Sequence, residues 1–180
     1  MNNQKSNSLR LAKMAMLVAI SIVLVMIIHF PIFPMVAFLE YDPADIPILI
    51  GTFAFGPGAG ILLTVVVSLL QGLTVSAGSG VYGIIMHILA TTTLATTAGL
   101  IYRKHKTKKT AIIGLVAGTI AMAVVMFFAN MVITPMFTGM PLEAIMQLMP
   151  FIIAFNVVKA GINSIVTFIL YKRISPFLHR

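Results

Sequence analysis

Long apolar runs separated by short polar or glycine-rich breaks dominate the chain. The first run, Met14 to Phe30, follows Lys5, Arg10 and Lys13. From Ile46 to Tyr102 there is no Asp, Glu, Lys or Arg, a stretch long enough for two or three crossings of a bilayer, each of which needs about 20 residues. Gly56-Pro57-Gly58-Ala59-Gly60 and Ser76-Ala77-Gly78-Ser79-Gly80 divide it, because Gly accepts positive φ and Pro cannot continue a helix. The pieces are Ile46–Phe55, which is short, Ile61–Val75 and Val81–Tyr102. Ala111–Ile133 and Phe151–Tyr171 complete the series. The pattern predicts an all-α integral membrane protein forming a single transmembrane domain.

Charge decides whether the short piece crosses. The N-terminal cluster and the loop Arg103, Lys104, Lys106, Lys108 and Lys109 should both be cytoplasmic, since cytoplasmic loops are enriched in Lys and Arg. An even number of crossings must separate them, so Ile46–Phe55 crosses, starting near Pro43. The prediction is six transmembrane helices with both ends inside, near residues 12–30, 43–55, 60–76, 81–102, 111–133 and 151–171. Lys172, Arg173 and Arg180 then fall inside as well, while Glu40, Asp42 and Asp45 fall in the first outer loop and Glu143 in the last. No predicted span keeps an acidic residue.

Composition agrees: of 180 residues, 59% are hydrophobic and 9% charged, against about 25% charged in soluble domains. The net charge of +8 is a topological bias and not a nucleic-acid footprint, because the basic residues sit at the ends and in one loop. Cys is absent, which removes a thiolate nucleophile and Cys-type metal sites. The first run is longer than a signal-peptide core and is followed by no small-x-small cleavage site. There is no G-x-x-x-x-G-K-[ST] phosphate loop. Spans without acids lack the relays that ion-coupled carriers keep in the membrane, which disfavours a solitary secondary carrier. Ser79 and His87 are the one Ser–His pair to consider for an enzyme. Ser79 reads better as a turn or cap residue, and no third, orienting group or oxyanion donor is specified. No catalytic or metal-ligating residue is expected.

Polar residues inside spans carry the chemistry. Lys159 is the one Lys or Arg within a span, at a cost of about 2.5–3.5 kcal/mol at mid-helix unless it faces a cavity or a partner. It lies eight residues after Phe151, about 12 Å along the axis, which is far for a Lys stem to snorkel. Asn156 and Asn163 stand three before and four after it, so the three form one polar stripe, a candidate ligand-facing wall. Asn130, near the outer end of the fifth span, and His87 fit either an interhelical hydrogen bond or a ligand contact. The segment from Pro31 to Pro47 holds four prolines and three acids beside Ile32, Phe33, Met35, Val36, Phe38 and Leu39, a composition suited to a folded cap over an outward-facing cavity. Ala15 and Ala19 on the first helix, and Gly114 and Gly118 on the fifth, are small-xxx-small pairs that allow close helix approach.

Taken together, Leu39-Glu40-Tyr41-Asp42-Pro43-Ala44-Asp45-Ile46-Pro47, Phe53-Ala54-Phe55-Gly56-Pro57-Gly58-Ala59-Gly60, Asn130 ahead of Pro135, and Pro150-Phe151 followed by Phe155-Asn156-Val157-Val158-Lys159 resemble a known family over nearly the whole chain. The chain is similar to the substrate-binding S components of energy-coupling factor (ECF) transporters, most of all the riboflavin-specific type. The resemblance implies a six-helix bundle in a prokaryotic cell membrane that captures riboflavin, or a related flavin, from outside as transported ligand and not as cofactor. It implies docking through the Ala15/Ala19 face onto a transmembrane coupling subunit driven by two ATPases. It also implies ring contacts from Asn130, Asn156 and Lys159 beneath the first outer loop, whose Leu39, Glu40, Tyr41 and Asp42 are further candidate contacts; His87 and Asn163 are candidates from their placement inside spans. The chain departs from the riboflavin type at Val67-Ser68, where a Lys-Asn pair is frequent, at His87, where Asn is frequent, and over Leu73–Gly83. A thiamine- or pyridoxine-like ring is the alternative ligand.

Overall fold

A computed structural model describes the backbone of residues 2–178 and the side chains of residues 7–173. The Lys5 side chain and Arg180, both assigned to the cytoplasm above, lie outside the described residues. Among the described residues, six α-helices account for most of the chain: α1 (Asn2–Ile27), α2 (Asp45–Phe55), α3 (Pro57–Leu73), α4 (Gly80–Lys104), α5 (Lys108–Thr138) and α6 (Leu142–Leu178). Each overlaps one predicted span. Four of them (α1, α4, α5 and α6) are long and apolar enough to cross a bilayer by length and composition, whereas α2 and α3 are shorter.

The packing of α5 and α6 follows from their sequences. Gly114, Gly118, Met122, Met126, Asn130 and Thr134 recur every four residues on α5 and are all buried, while Val116, Ile120, Val124, Phe128 and Val132 on the opposite face are exposed. That is an inside-out helix, small and polar inward and branched or aromatic outward, as lipid requires. On α6 the buried stripe runs through Ile145, Met149, Ile152, Asn156, Lys159, Asn163, Thr167 and Tyr171. The small residues serve close approach. A Cβ on Gly114 would stand 2.8 Å from the Ala98 carbonyl oxygen, and one on Gly118 would stand 2.8 Å from that of Leu94, so α4 and α5 meet backbone to backbone there.

The central element is α2, buried from Asp45 to Phe53. Its 11 residues span only about 16 Å of a hydrocarbon core about 30 Å thick. Tyr41 to Ala44, also buried, carry the chain into the bundle ahead of it. At the other end Gly56 adopts φ 95°, which an L-residue side chain would strain, and donates its N–H to Thr52 O before Pro57 opens α3. This turn sits at the basic end of the molecule. Arg10 donates from Nη2 to the Phe55 carbonyl at 3.1 Å, and Arg103 and Lys106 line a crevice beside it. Phe53, Tyr102 and Tyr171 pack ring against ring close by.

One expectation is corrected. Asp45 does not sit in the first outer loop: it is the first residue of α2 and has no exposed surface, so the spans do contain an acidic side chain. The span count missed it because the groups that stabilise its charge are remote in sequence.

The α4–α5 contact leads to a stability prediction. Gly114→Ala and Gly118→Ala should each destabilise the detergent-solubilised protein by about 1–3 kcal/mol, as methyl groups forced against backbone do, and so lower its thermal midpoint. An unchanged midpoint in both variants would show that the two helices part without cost.

Candidate ligand-binding site

The segment between α1 and α2 is a folded cap. Two short antiparallel strands, β1 (Phe30–Pro31) and β2 (Glu40–Tyr41), pair Phe30 with Tyr41 and Pro31 with Glu40. His29 Nε2 lies 2.5 Å from Glu40 Oε2 at their open end. The 3₁₀ turn Pro34–Val36 between them buries Val36 in a cluster with Ile145, Met149 and Ile152 of α6, against which Phe33, Phe38 and Leu39 also pack. The apolar residues of the cap are thus its attachment to α6.

Below β2 the chain brings two carboxylates into the interior. Asp42 Oδ2 accepts from Lys159 Nζ at 2.8 Å and from Gln71 Nε2 at 3.2 Å, while Oδ1 accepts from the Ala44 N–H at 3.0 Å. Asp45 accepts from Asn163 Nδ2 at 2.9 Å and from Thr91 Oγ1 at 2.6 Å, and His87 Nε2 lies 3.4 Å away. Asn163 Nδ2 also donates to the Asp42 carbonyl at 3.1 Å, and Asn163 Oδ1 accepts from the Tyr41 hydroxyl at 3.0 Å. Burial alone pushes the Asp42 pKa up. The Lys159 ammonium, aided by His87 and the direct hydrogen bond, outweighs burial and holds this carboxyl below the ordinary carboxylate range. Tyr41 is raised, by burial first and the Asp42 charge second, so it keeps the proton it donates to Asn163.

These groups form part of the wall of a cleft bounded by the cap, α3, α4, α5 and α6. Phe38, Leu39, Met86, Met122, Met126 and Phe155 supply apolar surface; Asp42, Ser68, Gln71, His87, Asn156 and Lys159 supply polar atoms. The arrangement suits a largely apolar ligand that also carries hydrogen-bonding groups.

The structure brings most of the expected residues to this cleft. Leu39, Glu40, Asp42, His87, Asn156 and Lys159 line it. Lys159 does not snorkel: its side chain is 9% exposed and ends on Asp42. Tyr41 and Asn163 stand behind the wall: Tyr41 donates to Asn163, which holds the Asp42 backbone carbonyl and the Asp45 carboxylate. Asn130 has no exposed surface; its Nδ2 donates to Met126 O at 2.7 Å and its Oδ1 accepts from Thr134 Oγ1 at 2.7 Å, and it is Thr134 that reaches the cleft. His87 meets Ser68, with Nδ1 2.7 Å from Oγ, and not Ser79. Asn156 Nδ2 is taken up by Ile152 O at 2.8 Å. Ala15 and Ala19 lie exposed on α1, away from the cleft. Sequence reasoning missed Ser68 and Gln71, although Thr64, Ser68 and Gln71 recur on one face of α3 as Asn156, Lys159 and Asn163 do on α6.

Comparison with known proteins places this geometry. The family model described as "ECF transporter, substrate-specific component" matches residues 9–171. The riboflavin transporter RibU of Staphylococcus aureus (strain TCH60) is 37% identical over 99% of this chain and 96% of its own. The riboflavin transporter FmnP of Bacillus subtilis (strain 168) is 26% identical over 95% of this chain and 94% of its own. Among solved structures, the S component of a bacterial ECF transporter superposes with TM-score 0.82 at 36% identity, with both chains covered in full. ThiT from Listeria monocytogenes shares the fold, with TM-score 0.68 at 19% identity over 97% of this chain and 98% of its own. A six-helix membrane bundle with a capped cleft, matched along its length by one family model, belongs to the substrate-specific components of ECF transporters.

Proposed function

We propose that the protein captures riboflavin, or a closely related flavin, from outside the cell and hands it to partner subunits that drive uptake with ATP. The observation that carries the reading is the cleft itself: a largely apolar cavity with the buried Asp42–Lys159 pair, at 2.8 Å, in its wall. Whole-length similarity to the riboflavin transporters of S. aureus and B. subtilis supports the choice of ligand. Aromatic and thioether side chains bury a tricyclic ring, while Lys159, Asn156 and His87 meet its polar edge. A ligand that left such groups buried without partners would be rejected by several kcal/mol, the usual source of discrimination at hydrogen-bonding sites.

The cap gives the site its entrance. It is held on α6 by Val36 and its neighbours and on the polar edge by Asp42, so lifting it to admit ligand requires the hydrogen-bonded edge to yield at the same time. The reading assigns the exposed Ala15/Ala19 face of α1 to docking on a transmembrane coupling subunit served by two ATPases. The sequence carries no phosphate-loop motif of its own.

Two expectations follow. The purified protein should bind riboflavin with quenching of flavin fluorescence at submicromolar concentration. Absence of both quenching and co-purifying flavin absorbance at micromolar ligand would overturn the flavin reading. For the polar edge, Lys159→Met should destabilise the ligand-free protein by about 3–5 kcal/mol, because it strands a buried carboxylate, and Asp42→Asn with Lys159→Met should recover most of that. Thermal unfolding in detergent checks both, and equal destabilisation of single and double variants would mean the pair does not act as a unit.

A further inference from the structure

Gln71 stands on α3 with 7% of its surface exposed, on the wall of the cleft. Its amide nitrogen donates to Asp42 Oδ2 at 3.2 Å and to Ser76 Oγ at 3.3 Å. An ionised carboxylate only accepts, so a flipped amide would set oxygen against oxygen, and the orientation is therefore dictated by Asp42. Asp42 is in turn fixed by Lys159. The consequence falls on the other amide atom. Oε1 is buried and accepts no hydrogen bond from any described residue, although the neighbouring Asp42, Asp45 and Asn163 are all engaged. Lys159 and Gln71 share one carboxylate oxygen and both line the cleft, so a cationic donor and a buried, unpaired acceptor stand close together in its wall.

We propose that Gln71 is a specificity-determining residue of the binding site: its Oε1 accepts a hydrogen bond from an N–H or O–H group of the ligand. Lys159 offers only donors and recognises carbonyl or ring-nitrogen acceptors; Gln71 supplies the complementary acceptor and so selects ligands that carry a donor as well. The assignment rests on the flavin reading, and a flavin has donors of two kinds, the ring imide N–H and the hydroxyls of its polyol chain. Gln71→Met keeps the length of the side chain, removes the acceptor and leaves Asp42 its Lys159 partner, so the fold should survive.

The test is equilibrium binding of riboflavin, N3-methylriboflavin and lumiflavin to the full-length wild type and to Gln71→Met. For riboflavin the variant should lose about tenfold in affinity, the factor that corresponds to roughly 1.4 kcal/mol. The analogue that lacks the donor in question should bind wild type and variant alike: N3-methylriboflavin if the imide is read, lumiflavin if a hydroxyl is. The analogue that keeps the donor should show the full loss. An unchanged riboflavin affinity, or an equal loss for all three ligands as a loosened Asp42 would give, overturns the assignment. A wild type that binds none of the three overturns the flavin reading itself, and this assignment with it.

Discussion

Two carboxylates buried in an apolar bundle are the constraint to which the rest of the structure answers. Moving an ion of this kind out of water costs several kcal/mol even after relaxation, and the cost is met only when charge and hydrogen bonds are supplied together. Asp42 and Asp45 obtain both from Lys159, Asn163, Gln71 and Thr91, which belong to α6, α3 and α4. Four parts of the chain must converge before both acids are satisfied. That convergence fixes where α2 begins, how deep the outer segment descends, and which face of α6 turns inward. It also explains how α2, with 11 residues, serves as a central element: the buried run Tyr41 to Ala44 precedes it, and the cluster anchors its first residue.

The same groups bound the cleft, so stability and recognition are not separable here. Asp42 ties the cap to α6, orients the Gln71 amide and positions the Lys159 ammonium. The polar edge is therefore organised before a ligand arrives, and binding need not spend affinity on ordering long side chains. Lys is otherwise a poor choice for a rigid site because of its flexible stem. A carboxylate at 2.8 Å removes that freedom.

How much of this the sequence discloses depends on whether a residue's cost is local. Lys159 is legible because a cation in a span is expensive wherever it points, and helical spacing then gathers Asn156 and Asn163 onto its face. The helices are legible because apolar length and basic loops are local too. Asp45 is not, because its partner Asn163 lies 118 residues away, and counting spans by charge pushes such an acid into the loop. Asn130 is ambiguous in sequence for a related reason: an Asn that hydrogen-bonds along its own helix has the same sequence context as one that meets a ligand. Ser68 and Gln71 leave almost no trace, since uncharged polar residues at helical spacing on a membrane helix are ordinary interhelical hydrogen-bond partners. The cap is legible in composition and not in periodicity: four prolines and three acids from Pro31 to Pro47, beside six large apolar residues between Ile32 and Leu39. The folded cap then shows its physical basis in the packing of Val36, Phe38 and Leu39 on α6.

The buried cluster bears on the energy source. Correcting Asp45 into α2 removes the simplest sequence argument against an ion-coupled carrier, because the spans now hold an acid. The geometry replaces it with a stronger one. A coupling carboxylate must exchange its proton or cation during each cycle, with a neutral or vacated form as stable as the charged one. Asp45 accepts hydrogen bonds from Asn163 and Thr91, and the same Asn163 amide also holds the Asp42 carbonyl. Asp42 bonds Lys159 while anchoring the cap. Neutralising either acid would strand donors that now hold the outer segment, and neutralising Asp42 would leave a buried ammonium without its counter-ion. The carboxylates are thus committed to structure. A chain whose buried charges are all held in this way is suited to hold a ligand while another subunit does the work.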